Sequence, residues 1–226
     1  MATRNPRRAG RPVGTVLTRR RITDAAIRIL TREGYEAFTM TRLARALHVT
    51  PGAIYNHASG KQQILDWVED RLMSMIDVSA FGRLGWREAS EIWARSYREV
   101  MARHHPLVTT IAGAPVGGAP ETLEMYETIA AAFERAGFDA EDIVPTIVSL
   151  ESFIYGSALD LHAPVTIFDV AGHERAAPVF ARAMDALSAR YGPGYTGEAA
   201  DAAFDAGLAA LLDAAEARLD RTLRDG

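Results

Sequence analysis

The chain has 226 residues, 48% hydrophobic, 24% charged and 8% aromatic, a composition that can bury a core unaided and sets aside collagen-like, disordered and disulfide-stapled classes. There is no cysteine, so thiolate nucleophiles, disulfides and cysteine-based zinc sites are excluded. The net charge of −4 is uneven: residues 1–61 carry twelve basic and three acidic side chains, net +9, and residues 62–226 thirteen and twenty-six, net −13, so a polyanion is expected at one end only.

Residues 1–17 form a basic arm containing Arg7, Arg8 and Gly10-Arg11-Pro12, with no apolar stretch behind it, so it does not read as a signal peptide. Two readings of the arm stay open: Arg11 in an A·T-rich minor groove, or a tail with counterion-release affinity alone. No stretch offers the roughly 20 apolar residues of a membrane span, and the expected location is the cytoplasm.

Strand-type alternation is missing and helical periodicity recurs, which predicts an all-α chain. Ile22, Ala26, Ile29 and Leu30 face one side of a first helix that Gly34 stops. Thr39 caps a second helix carrying Leu43, Ala44 and Leu47, and His48-Val49 makes a tight connection. Thr50 and Pro51 open a short third helix that ends near His57. Ser59 and Gln62 read as a capping box for a fourth, with Ile64, Leu65, Val68, Leu72 and Ile76 buried, running from Lys61 to Asp77. Longer helices are expected over Trp86 to about Arg103, Glu121–Ala136, Ala140 to about His162, Glu174–Arg190 and Thr196 to about Leu223. Ala112–Pro120 is the most loop-like connection.

Three short helices with a sharp turn before the third, on a positive segment, are what a helix-turn-helix reader of double-stranded DNA requires. Thr50, Tyr55, Asn56 and His57 put donors on the third helix, and Ile54 is expected to face the core. The helix start, the Thr50 hydroxyl and Lys61 suit phosphate. Asn56 suits adenine, and Tyr55 suits a phosphate. Thr39, Thr41, Arg42, Pro51, Gly52 and Ala53 complete the candidate DNA-binding set with Arg11. Gly192–Gly197 matches G-x-G-x-x-G but follows a helix, and His173-Glu174 lacks the second histidine of a metalloprotease motif, so neither carries chemistry.

The run from Thr39 to Leu65, with Val49, Ile54-Tyr55, His57 and Lys61 at their places, resembles the DNA-binding domain of the TetR/AcrR family over residues 18–68. The Tyr55-x-His57 variant and residues 86–156 are similar to its tetracycline-repressor branch. The resemblance implies a homodimer, an N-terminal three-helix DNA-binding domain at 18–66, and a C-terminal helical bundle at 67–226 for ligand binding and dimerisation. It makes the chain a ligand-responsive repressor rather than an enzyme, released from a palindromic operator by an inducer.

Trp93, Tyr97, Met101, Phe133, Phe153 and Phe168 are candidates to line a ligand pocket. By resemblance Trp93, Tyr97 and Thr110 fall where the branch contacts its drug, and Asp160 where it has a carboxylate serving the metal. Thr110 stands where that branch needs a metal-binding histidine. The expectation is therefore no metal, no cofactor, and a small apolar or aromatic inducer rather than a magnesium–tetracycline chelate. The stripes Ile143/Ile147/Leu150/Ile154/Ala158/Leu161 and Phe204/Leu208/Leu211/Leu212/Ala215/Leu219 suit a dimer interface, with Ala209, Ala210 and Ala214 allowing close approach. A non-specific architectural DNA binder and a helical carrier or enzyme are the alternatives.

Overall fold

The computed structural model describes residues 16–113, 115 and 119–225, with side chains to residue 221; Arg11 and the arm up to residue 15 lie outside them. The chain is all-α, and no strand forms among the described residues.

The helix ends follow capping chemistry. α1 (Arg19–Glu33) begins at Thr18, whose hydroxyl accepts the Arg21 N–H at 3.3 Å, and ends at Gly34 with φ +81°, a region open to glycine. α2 (Met40–Leu47) begins at Thr39, whose hydroxyl accepts the Arg42 N–H at 3.1 Å. The turn that follows puts His48 in the left-handed region at φ 55°, ψ 43°, and the Val49 N–H closes back on the Ala44 carbonyl at 3.0 Å. α3 (Pro51–Tyr55) has Thr50 as its cap, accepting the Ala53 N–H at 3.3 Å, with Pro51 in the first turn where no N–H is needed.

α4 (Lys61–Met73) departs from expectation at both ends. Its cap is Gly60, one residue later than Ser59, so the Ser59–Gln62 box does not form. The Ser59 N–H and hydroxyl instead donate to Gln63 Oε1 at 2.7 and 3.2 Å, while Gln62 donates to Asp66 at 3.0 Å. The helix also stops four residues short of Asp77. There the backbone N–H donates to the Ser96 hydroxyl at 2.9 Å and the carboxylate accepts the Ser79 N–H at 2.8 Å, which turns the chain away.

The body comprises α5 (Trp86–Arg103), α6 (Val108–Ile111), α7 (Pro120–Ala136), α8 (Ala140–Asp160), α9 (Pro178–Tyr191) and α10 (Gly197–Asp225). α5 packs chiefly on α8, α10 lies along α8, and α4 sits between α1 and α7, so the three N-terminal helices share a continuous apolar core with the body. Three guanidiniums bind α5 to α10: Arg87 to Asp213 and Glu216, Arg95 to Asp205, and Arg98 to Asp201. α9 starts at Pro178 rather than Glu174, since proline fits the first turn and not a helix interior, and none of its residues is buried.

The expected dimer stripes are used within the chain. Ile143, Ile147, Leu150, Ile154 and Ala158 on α8, and Phe204, Leu208, Leu212, Ala215 and Leu219 on α10, are all buried in the monomer core, and Leu161 and Leu211 are partly so. The apolar groups these two helices leave exposed are Val144, Val148 and Leu159 of α8 and an alanine face of α10 that includes Ala210 and Ala214.

Candidate DNA-binding surface and ligand cavity

α3 is anchored by Ile54, which is fully buried, while Pro51, Gly52, Tyr55, Asn56 and His57 are exposed and Ala53 half-buried. Five residues of helix with one apolar anchor cannot fold alone. They are held by Leu43, Ala44 and Leu47 of α2 through the His48 turn. Thr39 and Thr50 lie at the starts of α2 and α3, with their hydroxyls engaged as caps, and Thr41 is exposed on the first turn of α2. Arg42 makes a bidentate pair with Glu33, Nε to Oε2 at 2.9 Å and Nη2 to Oε1 at 2.5 Å, which lowers the Glu33 carboxyl below its usual range. The Lys61 ammonium lies 3.9 Å from the centre of the Tyr35 ring and 5.5 Å from that of Phe38. The chain's one lysine is thus placed by aromatic faces at the start of α4, beside α3.

A cavity of about 740 Å³ opens where α4, α6 and the α1–α2 loop meet, with Tyr35, Leu65, Val68, Glu69, Leu107 and Thr110 among its lining. Tyr35 therefore faces both ways: one ring touches the cavity and carries the Lys61 ammonium. Glu69 is 4% exposed, and burial, followed by the Asp66 and Asp70 charges, pushes its carboxyl up to about 7.

Asp70, also buried, works as a joint. Its Oδ1 accepts the N–H groups of Glu121 at 2.7 Å and Thr122 at 3.4 Å, and its Oδ2 the Arg19 guanidinium at 3.2 Å. It thus caps α7, whose own Ala119 has no side-chain acceptor, and fastens α1 to it through α4. A second tie, Thr31 Oγ1 to His104 Nδ1 at 2.9 Å, joins α1 to the end of α5. Burial, then Arg103, lowers the His104 pKa.

Of the eight ligand candidates, Thr110 lines this cavity, while Phe168 is exposed and lines a separate one against α9. Trp93, Tyr97, Met101 and Phe133 are fully buried, Trp93 edge-on to both Phe81 and Tyr97, and Phe133 edge-on to Phe81. The Tyr97 hydroxyl donates to Glu151 at 3.2 Å and meets Tyr155 at 2.5 Å, and Tyr126 also donates to Glu151, at 2.8 Å. Burial raises the Glu151 carboxyl and these hydrogen bonds lower it. Phe153 stacks on Phe204 at 5.5 Å, and Asp160 accepts the Tyr195 hydroxyl at 2.6 Å.

Tyr35, Leu65, Val68, Glu69 and Leu107 were not among the sequence candidates. The available signal was charge on an apolar face: Glu69 stands four residues after Leu65, so the helix carries it to the side that buries Ile64, Val68 and Leu72.

Residues 22–68 match the family described as bacterial regulatory proteins, tetR family, and residues 80–219 the tetracyclin repressor-like C-terminal domain. The chain is similar to the HTH-type transcriptional repressor DrrR1 of Streptomyces coeruleorubidus, 29% identical over 69% of this chain and 56% of that protein. It is also similar to the tetracycline repressor protein class A from transposon 1721 of Escherichia coli, 28% identical over 84% of this chain and 86% of the relative. The chain spans less than two thirds of the length of the first two curated relatives, 56% and 60%. Among solved structures it resembles a possible TetR family transcriptional regulator from Streptomyces coelicolor A3(2), with a TM-score of 0.72 and 25% identity over 88% of this chain and 99% of the other. No described helix is long and apolar enough to cross a membrane.

Proposed function

Since the chain belongs to the tetR family of bacterial regulatory proteins, we propose that it is a ligand-released repressor that binds a palindromic operator as a homodimer. Residues 18–66 are the DNA-binding domain, 67–226 the ligand-binding and dimerisation domain, and 1–17 the arm. The observation that carries the reading is α3 itself: capped at Thr50, anchored by Ile54, and showing Tyr55, Asn56 and His57 to solvent. Asn56 reads a base; Thr39, Thr41, Thr50 and the α3 start meet phosphates, with Lys61 beside them; Arg42 is positioned by Glu33. Two such helices across a dimer axis enter successive major grooves roughly 34 to 36 Å apart. The dimer face that suits this is the exposed α8 and α10 surface around Val148 and Ala210.

The ligand acts in the cavity between α4 and α6. A molecule there touches Tyr35 and α4, and so reaches Lys61 and the Asp70 joint without contacting DNA. It releases DNA only by binding the DNA-incompetent arrangement more tightly. Selection from random duplexes is expected to return a palindrome. Asn56→Ala then relaxes preference at one base pair per half-site, while Lys61→Ala weakens all sequences alike and reduces the salt slope by about one unit. A selection that returns no palindrome, or equal loss of specificity in both variants, refutes these roles.

A further inference from the structure

The wall of the α4–α6 cavity is apolar through Leu65, Val68, Leu107 and Ile111, yet it holds the Glu69 carboxylate. Glu69 is 4% exposed, receives no hydrogen bond from a described residue, and has acidic groups, Asp66 and Asp70, as its charged neighbours on α4. Asp70 is taken up by Arg19 and the α7 backbone, and Asp66 accepts from Gln62. Glu69 lines the cavity, so a donor placed there can reach it. A buried carboxylate without donors is unfavourable, and a hydrogen-bonding cation relieves it most.

We propose that the ligand of this cavity is a protonated amine carried on an aromatic, apolar body. The ammonium N–H groups bond Glu69, Asp66 strengthens the field, and the ring system lies along Leu65, Val68 and Leu107 toward Tyr35. The cavity volume of about 740 Å³ is that of a drug-sized site. An anionic ligand of the same shape would bring like charge against two carboxylates. The inference rests on the ligand-binding reading of this cavity and narrows it to a charge class.

The test uses three probes with one aromatic body: aminomethyl-anthracene, hydroxymethyl-anthracene and anthracene carboxylate. In fluorescence titrations of the full chain the amine is expected to bind at least about tenfold more tightly than the alcohol, with the carboxylate weakest. Glu69→Gln, which keeps size and removes charge, is expected to collapse that ratio while keeping alcohol affinity. Alcohol or carboxylate binding as tight as the amine, an undiminished ratio in Glu69→Gln, or no binding of any probe overturns the proposal. The same probes added to the protein–operator complex separate the two readings. DNA release with no preference for the amine sinks the charge class and upholds the ligand-released repressor. Amine preference with unchanged DNA affinity upholds the charge class and refutes the release mechanism.

Discussion

Asp70→Ala removes the acceptor that stands in for a missing α7 cap. Its side chain is 6% exposed, while the Arg19 partner is 53% exposed. The three contacts therefore differ in weight. The exposed ion pair contributes under about 1 kcal/mol. Losing a helix cap costs about 1 to 2 kcal/mol, and leaving the buried Thr122 N–H without a partner adds about 1 kcal/mol or more. The expected loss is about 3 kcal/mol. Urea unfolding at fixed protein concentration measures it as a fall in midpoint with little change in slope. Asp70→Asn keeps an oxygen acceptor and should lose about half as much. Arg19→Ala should lose under about 1 kcal/mol, and high salt should reduce that part alone. An Asp70→Ala loss below about 0.5 kcal/mol, or an Arg19→Ala loss equal to it, would show that the α7 cap is not what Asp70 supplies.

Gly207→Ala places a methyl 2.5 Å from the Phe153 ring, which is stacked on Phe204, so overpacking of about 1 to 3 kcal/mol outweighs the gain in helix propensity. Thermal unfolding should show a lower midpoint, partly restored by Phe153→Leu; an unchanged or higher midpoint contradicts the packing. Glu69 holds its proton more tightly folded, near 7, than unfolded, near 4.5, so its contribution to stability falls as pH rises through that window. The groups facing it are Asp66 and Asp70 on α4, Tyr126 on α7 and Tyr155 on α8, with Arg19 of α1 held by Asp70. Urea midpoints across the window should fall less in Glu69→Gln than in the parent, and equal slopes refute the assignment. Thr110 lines the cavity, at the position where the resemblance to the tetracycline-repressor branch would place a metal-binding histidine. Titration with tetracycline should therefore show no magnesium-dependent binding at micromolar concentration, and saturable magnesium-dependent binding overturns that reading.

The N-terminal helices were legible because their signals are local. Thr39 and Thr50 accept N–H groups three residues on, Pro51 sits in a first turn, and Gly34 takes a positive φ, all within a few residues of chain. The end of α4 departs from expectation because a partner outside the local window decides it. Nothing near Asp77 announces that Ser96, nineteen residues away, will take its N–H, and so α4 looked one turn longer than it is. The start of α9 is itself a local signal, because Pro178 inside the expected Glu174–Arg190 helix fits only a first turn.

The same contrast explains the ligand candidates. Large aromatics on long helices served as the guide to a pocket, but a bulky ring gains most where it is fully packed, and Trp93, Tyr97 and Phe133 are buried completely among one another and Phe81. A cavity persists instead where complete packing is opposed. In this chain the α4–α6 cavity lies beside a carboxylate on an apolar helix face, Glu69, to which the Leu107 and Ile111 side chains offer no donor. Asp70, its neighbour in sequence and just as buried, has donors supplied by the α7 backbone and Arg19. The residue to look for on a buried helical stripe is thus the ionisable one for which no described residue provides a partner.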